Sequence, residues 1–316
     1  MPGSPACTRT ELRVPVGGGL HSAVTVVSPA EPDGTVLFAF PGGGYNRRYF
    51  DLDIPGGYSQ AEWHAARGWT VVCCDHLGVG DSSMPDPAAW GFDELADANH
   101  ATVAVVCERL QPSGPVLGAG QSMGGCLIIQ QQSAHRTFDA IAVLGFSAIH
   151  TVLPAPEGGY DMPEGLSLEE ASAHLTRALT TYAFHFPDEP SWLVEEDVDG
   201  YPLRPDGRVP RWASATVPPA AVSMLVPGIV AKHVPAVDVP VLVVAAEIDV
   251  NLDLEAEAAQ YTGSPDVETM RLEGAAHMHN FANSRELLWA RIHDWGAGSF
   301  RDVVDSGEDF VDVPDG

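Results

Sequence analysis

The chain has 316 residues, of which 45% are hydrophobic and 19% charged, and this balance excludes an intrinsically disordered protein. Its 43 Asp and Glu residues exceed its 16 Lys and Arg residues, which gives a formal net charge of −27. Because phosphate backbones and anionic lipids repel so negative a chain, we expect neither a nucleic-acid nor a membrane partner.

Short apolar runs bounded by Gly or Pro predict buried parallel strands. These runs cover residues 35–40, 70–75, 115–120, 140–146 and 240–247, and a further short candidate covers residues 267–273. Helical patterns follow at residues 60–67, 93–110, 122–135 and 283–295. The alternation predicts an α/β fold with a mostly parallel central sheet flanked by helices.

Residues 151–232 break this alternation and predict a mainly helical inserted cap, here called the insertion. It separates a first core part, residues 1–150, from a second core part, residues 233–300. The insertion is rich in proline and aromatic residues, which favours helices and loops over another strand-helix unit. Residues 301–316 are acidic and predict a loosely held C-terminal tail.

The five cysteines predict free thiols, because the count is odd and Cys73 and Cys74 are adjacent inside an apolar run. None of them has the spacing of a zinc site. The N-terminus lacks a basic region followed by an apolar stretch, and no run of about 18 apolar residues occurs. We therefore expect a cytoplasmic protein, and nothing in the sequence supports an oligomer.

The segment Gly120-Gln121-Ser122-Met123-Gly124 lies at the end of a predicted strand and the start of a predicted helix. Small residues there allow a tight, strained turn that lifts the serine hydroxyl clear of the sheet. The helix N-terminus places backbone N–H groups beside that hydroxyl, which favours developing negative charge. This pattern indicates a nucleophilic serine, and the alternative is a glycine-rich turn with a passive serine.

A second glycine-rich segment, Phe40-Pro41-Gly42-Gly43-Gly44-Tyr45, directly follows the predicted strand at residues 35–40. Three glycines let the backbone approach a ligand closely and turn its N–H groups inward, as in one half of an oxyanion hole. A phosphate-binding loop does not fit, because that motif requires Gly-Lys-Ser/Thr. The alternative is a flexible loop without a ligand.

An acid and a histidine follow later in the chain. Asp249 lies at the carboxyl end of the predicted strand 240–247, where side chains face the same crevice as Ser122, and Glu247 and Asp253 are its competitors. His277 follows a Gly-Ala-Ala turn and is preferred to His279 as the partner of both. The His-x-His spacing also allows a metal interpretation, but no acidic cluster at ligand spacing accompanies it.

The order Ser122, Asp249, His277 resembles that of the α/β-hydrolase superfamily, and the resemblance covers about residues 35–150 and 233–297. Residues 75–82, with the sequence Asp-His-Leu-Gly-Val-Gly-Asp-Ser, match the family's D-x-x-G-x-G-x-S segment. The resemblance implies an oxyanion hole formed by the N–H groups of Gly43 and Met123, with Gly42 or Gly44 as alternatives. Pro41 departs from the histidine that many esterases have before the glycines.

A serine nucleophile implies acyl transfer, whereas relatives that open epoxides or displace halide use an aspartate there. We therefore expect a serine hydrolase that cleaves a small-to-medium, largely apolar carboxylic ester or lactone without a cofactor or metal. A thioester, amide or peptide substrate is the alternative, and a non-catalytic binding protein is the alternative of another class. The candidate pocket residues are Tyr45, Tyr182, His185, Trp192, Trp212 and Met278.

Overall fold

The computed structural model describes residues 7–86, 90–163, 165–202, 204 and 208–299. Among these residues, eight strands form one sheet in the order β1-β2-β4-β3-β5-β6-β7-β8. The strands are β1 (Thr8–Gly17), β2 (Leu20–Ser28), β3 (Val36–Phe40), β4 (Thr70–Cys74), β5 (Val116–Gln121), β6 (Ala140–Leu144), β7 (Val241–Ile248) and β8 (Val267–Ala276). Only β1 and β2 pair antiparallel with their neighbours, which confirms the mostly parallel sheet.

Helices cover both faces of the sheet. They are α1 (Gln60–Ala65), α2 (Phe92–Leu110), α3 (Met123–His135), α4 (Leu168–Phe184), α5 (Ser191–Val198), α6 (Leu254–Ala258) and α7 (Arg285–Gly298). Leu37 of β3 packs in one apolar cluster with α1 and α7, and Phe38 packs in the other with α2 and α3. Because successive strand residues point to opposite faces, these two clusters are the two layers of the core.

The insertion contributes α4 and α5 and no strand of this sheet within its described residues. The N-terminal hairpin of β1 and β2 was not predicted. β1 is an edge strand whose residues are mostly exposed, so its sequence carries no apolar run. The acidic segment 301–316 lies outside the described residues. None of the described helices combines the length and apolarity needed to cross a bilayer.

The sheet brings the predicted site residues together at the carboxyl ends of its parallel strands. Parallel strands place their carboxyl ends side by side, and loops at that edge carry ligand-binding residues in open α/β sheets. The glycine loop, residues 41–44, follows β3. Ser122 follows β5, Asp249 follows β7 and His277 follows β8. All four strands belong to the parallel part of the sheet.

Candidate active site

Ser122 occupies a strained turn between β5 and α3. Its φ of 53° and ψ of −113° lie in a region that side-chain-bearing residues rarely adopt. The neighbouring glycines are required by close packing, because a Cβ at Gly120 would collide with the Gly124 carbonyl oxygen. A Cβ at Gly124 would in turn collide with the Phe40 carbonyl oxygen. The turn therefore holds Ser122 against the end of β3, where the glycine loop begins.

His277 and Asp249 form a buried hydrogen-bonded pair. His277 Nδ1 lies 2.7 Å from Asp249 Oδ1. The same carboxylate accepts the backbone N–H of Ala246 at 2.7 Å and that of Val250 at 2.8 Å. Burial raises the pKa of Asp249, but the charges and hydrogen bonds of His277 and His279 outweigh it and hold that pKa well below its ordinary value. Asp249 is therefore ionised and fixes the orientation of His277.

Ser122 and His277 line the same cavity. Among the described residues, His277 Nε2 makes no hydrogen bond to Ser122 and instead lies 3.4 Å from the Gln121 side-chain nitrogen. That Gln121 amide also donates to the His277 carbonyl oxygen at 3.1 Å. Hydrogen bonds between catalytic groups are often long in ligand-free enzymes and tighten when substrate binds. Sequence reasoning gave Gln121 no role, since its contacts depend on the distant β8 loop.

The glycine loop packs directly on the serine turn. A Cβ at Gly42 would collide with the Gln121 side-chain oxygen and lie 3.1 Å from Ser122 Cβ. A Cβ at Gly43 would lie 3.9 Å from Met123 Sδ, so Gly43 and Met123 are neighbours across the cavity edge. Gly42 and Gly43 both line the cavity, whereas Gly44 has a φ of 82° and turns toward Tyr201 of the insertion.

The start of the glycine loop is oriented by His76 rather than by a side chain at position 41. His76 Nε2 lies 2.8 Å from the Pro41 carbonyl oxygen, and Asn99 Nδ2 lies 3.1 Å from His76 Nδ1. Burial lowers the pKa of His76, so the ring is neutral and donates through Nε2. The proline side chain cannot donate a hydrogen bond that orients the loop. His76, from the D-x-x-G-x-G-x-S segment, supplies such a bond instead.

Asp75, the acid of that same segment, anchors the chain that follows the glycine loop. Asp75 is fully buried and accepts the Arg47 backbone N–H at 2.6 Å. The Arg47 guanidinium lies 2.5 Å from the other Asp75 oxygen, so the pair forms a buried salt bridge. Because Arg47 lies shortly after the glycine loop, Asp75 ties the chain beyond that loop to the end of β4.

The cavity holds about 270 Å³ and is lined mainly by apolar side chains. The core contributes Gly42, Gly43, Tyr45, Gln121, Ser122, Val250, His277 and Met278. The insertion contributes Thr151, Leu153, Leu179, Phe184, Tyr201, Pro202, Val217, Ala221, Val222, Met224 and Leu225. Two of the predicted pocket residues, Tyr45 and Met278, are thus in the cavity wall.

The other four predicted pocket residues lie outside this cavity. Tyr182 and His185 line a separate depression, and Trp192 lines another on the outer side of the insertion. Trp212 is only 2% exposed, and its indole N–H donates to Asp197 at 2.6 Å. The polar ends of Trp212 and His185 are engaged with Asp197 inside the insertion.

The His-x-His pair does not form a metal centre in the described part of the chain, where no group of His, Cys, Asp and Glu side chains is arranged to hold an ion. His277 and His279 instead both contact the Asp249 carboxylate, on opposite oxygens. Both imidazoles therefore hydrogen-bond to the same carboxylate.

Comparison with known proteins agrees with this fold. The model of the alpha/beta hydrolase family matches residues 36–290, and the chain therefore belongs to that family. A search of curated proteins found no match.

Several solved structures share the fold. A proline iminopeptidase from Mycobacterium smegmatis has a TM-score of 0.65 and 19% identity, covering 94% of this chain and 100% of its own. An esterase from Exiguobacterium antarcticum has a TM-score of 0.62 and 18% identity, covering 92% of this chain and 100% of its own. Est816, described as an N-acyl homoserine lactone degrading enzyme, has a TM-score of 0.60 and 17% identity, covering 88% and 99%.

Proposed function

We propose that this protein is a serine hydrolase that cleaves a small-to-medium, largely apolar carboxylic ester or lactone. The observation that carries the proposal is the shared cavity of Ser122 and His277, with His277 Nδ1 held 2.7 Å from the buried Asp249 carboxylate. Since Nδ1 donates to Asp249, the other ring nitrogen is the one that can accept a proton. The strained backbone of Ser122 adds support, because such strain is typical of nucleophile turns.

The proposed reaction has two halves. His277 takes the proton of the Ser122 hydroxyl while the serine oxygen attacks the substrate carbonyl, and Asp249 stabilises the imidazolium that forms. Backbone N–H groups of Gly43 and Met123 bind the oxyanion of the tetrahedral intermediate. His277 then protonates the leaving oxygen, which departs as an alcohol. Water repeats the sequence on the acyl-enzyme, releases the carboxylic acid and returns the proton to Ser122.

The size and lining of the cavity favour a small apolar substrate. A volume of about 270 Å³ is just below the range of roughly 300–1,000 Å³ typical of sites for drug-sized ligands. The insertion supplies most of the apolar wall, so we assign it the role of a cap that sets selectivity. An ester or lactone is favoured over an amide because an oxygen leaving group demands less of the enzyme.

Two of the structures that share the fold support this choice, since one is named an esterase and another a lactone-degrading enzyme. The proline iminopeptidase keeps the peptide alternative open. A panel of ester, lactone, thioester and amide substrates sharing one acyl group separates these possibilities by kcat/KM. The proposal requires the ester or lactone to be preferred, and a preference for the amide would overturn it.

The decisive experiment is intact-mass analysis after incubation with a fluorophosphonate, which labels activated serines. We expect a single adduct on the wild type and none on Ser122→Ala. Ser113→Ala, at an exposed loop serine, is the matched control and should label like the wild type. Folded wild-type protein that fails to label and hydrolyses none of the panel would refute the enzyme proposal and favour a binding protein.

A further inference from the structure

A buried carboxylate inside the insertion, Asp197, has no part in the proposed chemistry. It is 0% exposed at the end of α5. One of its oxygens accepts the Tyr45 hydroxyl at 2.6 Å and lies 3.1 Å from His185 Nε2. The other accepts the Trp212 indole N–H at 2.6 Å. Tyr45 belongs to the core and directly follows the glycine loop, so this carboxylate joins the insertion to that loop.

Arg204 forms a second connection between the same two segments. Its guanidinium donates to the Gly44 carbonyl oxygen at 3.0 Å and to the Asp197 carbonyl oxygen at 3.0 Å. It also lies 3.7 Å from an Asp197 carboxylate oxygen, and both side chains are completely buried. Arg204 has a φ of 42°, an unfavourable value for a residue with a side chain, which the surrounding bonds must hold in place.

Backbone hydrogen bonds complete the connection. The Ser214 N–H donates to the Gly44 carbonyl oxygen at 2.9 Å, and the Asn46 N–H donates to the Trp212 carbonyl oxygen at 2.9 Å. β3 ends at Phe40, so no sheet ladder fixes the glycine loop beyond that residue. The core fixes the start of the loop through His76 and the chain after the loop through Asp75 and Arg47. Between these two points the insertion holds Gly44 and Tyr45.

The charges of the buried cluster balance. Asp197 and Glu189 are the acids, and Arg204 and His185 are the bases, with His185 Nδ1 lying 2.8 Å from a Glu189 oxygen. Burying charges without pairing them is strongly unfavourable, so loss of one member would disturb the others. Because the cluster bonds to Tyr45 and to the Gly44 carbonyl oxygen, breaking it would also remove partners from the loop that carries Gly43.

We propose that Asp197 and Arg204 are positioning residues for the oxyanion hole, which hold Gly44 and Tyr45 so that the Gly43 N–H faces the developing oxyanion. The proposal rests on the proposed serine hydrolase function. Neither residue lines the cavity, so neither is expected to contact bound substrate. We therefore expect their loss to reduce stabilisation of the transition state more than substrate binding.

The test uses Tyr45→Phe, which removes only the hydroxyl donated to Asp197, and Arg204→Gln, which removes the charge and shortens the reach to Gly44. Tyr160→Phe is the matched control, since the Tyr160 hydroxyl donates to the Pro154 carbonyl oxygen elsewhere in the insertion at 2.9 Å. We expect kcat to fall roughly 10-fold to 100-fold in the two test variants, with KM changing far less, because misplaced catalytic donors cost rates of that order. The control should keep the wild-type kcat.

A second readout separates positioning from general damage. A boronic acid that forms a tetrahedral adduct with Ser122 should bind more weakly to both test variants by a factor similar to the fall in kcat. A substrate-like ether, which has no electrophilic carbonyl and cannot form the adduct, should bind as it does to the wild type. Equal losses for both ligands, or kcat values unchanged in folded variants, would overturn the proposal.

A third readout does not depend on hydrolysis. Amide hydrogen exchange of residues 42–46 should be faster in Tyr45→Phe and Arg204→Gln than in the wild type and in Tyr160→Phe. Unchanged exchange in folded variants would overturn the positioning role whether or not the protein is an esterase. Faster exchange in the two test variants, together with a wild-type protein that no fluorophosphonate labels, would leave the loop connection standing and refute the proposed function alone.

Discussion

His279 donates to the Asp249 carboxylate at 2.9 Å, on the oxygen opposite the one that faces His277. The other nitrogen of His279, Nδ1, is buried and lacks a partner among the described residues. The Nε2 proton is the one donated to Asp249, because an ionised carboxylate can only accept. His279 therefore fixes the second oxygen of the acid and leaves the first for His277.

Replacing His279 should weaken both the fold and the reaction. His279→Leu leaves a buried carboxylate oxygen one donor short, so we expect a loss of about 1–3 kcal/mol in the free energy of unfolding and a lower kcat. His279→Gln keeps a donor and should recover part of both. Urea unfolding and steady-state kinetics measure the two effects. If the Leu variant kept the wild-type kcat, Asp249 would be held adequately by its backbone donors alone.

The strain at Ser122 predicts an inverted order of stability between alanine and glycine. Glycine ordinarily destabilises relative to alanine by about 0.5–1 kcal/mol, but it adopts a positive φ without penalty. Ser122→Gly should therefore unfold at higher urea concentration than Ser122→Ala. Ser113, whose φ is not positive, is the control, where the alanine variant should be the more stable of the pair. The ordinary order at both positions would mean that the turn at Ser122 carries no strain.

Stability should fall on the alkaline side because of His185. Burial alone would lower the pKa of His185, but its bonds and charge interactions with Asp197 and Glu189 raise that pKa to about 9. The value in the unfolded chain is about 6.5, so the imidazolium contributes stability that is complete below that pH and lost as pH rises toward 9. The other titratable groups around the cluster are Arg204, Tyr45, Tyr49 and Tyr201.

Urea midpoints measured from pH 6 to pH 10 test this expectation. The wild-type midpoint should fall between about pH 6.5 and 9, whereas the midpoint of His185→Gln should change much less over that window. Parallel curves for the two proteins would show that His185 is not charged in the folded state at neutral pH.

Shortening a side chain at the mouth of the cavity should change which acyl chain length the enzyme prefers. Leu225 lines the cavity and is 46% exposed, so its side chain can be shortened with little damage to the core. Leu225→Ala should lower kcat/KM for a butyrate ester by roughly fivefold, which corresponds to about 1 kcal/mol of lost apolar contact, and leave an acetate ester nearly unchanged. Val226→Ala, 53% exposed and outside the cavity wall, is the control. Equal effects on both esters would place the acyl chain elsewhere.

The strands and the site motifs could be predicted because their signals are local. β3, β4 and β5 are continuous buried runs. The serine turn can be identified from five consecutive residues, 120–124. The contacts of Asp197 could not be found this way, because its partner Tyr45 is 152 positions distant in sequence. Trp212 shows the same limit, since an apolar ring predicts burial but does not reveal which acid its N–H reaches.

The bonds between the insertion and residues 44–46 also bear on how substrate and product move. Swinging the insertion away as a rigid body would strip partners from Gly44, Asn46 and Asp197, at about 1–3 kcal/mol for each buried group left unpaired. The opposite rim, at Val222 and Leu225, is 73% and 46% exposed and lines the cavity. Substrate and product should therefore enter and leave past Val222 and Leu225, by local displacement of these side chains. Product release should then remain fast even though the side of the insertion bonded to residues 44–46 is rigid.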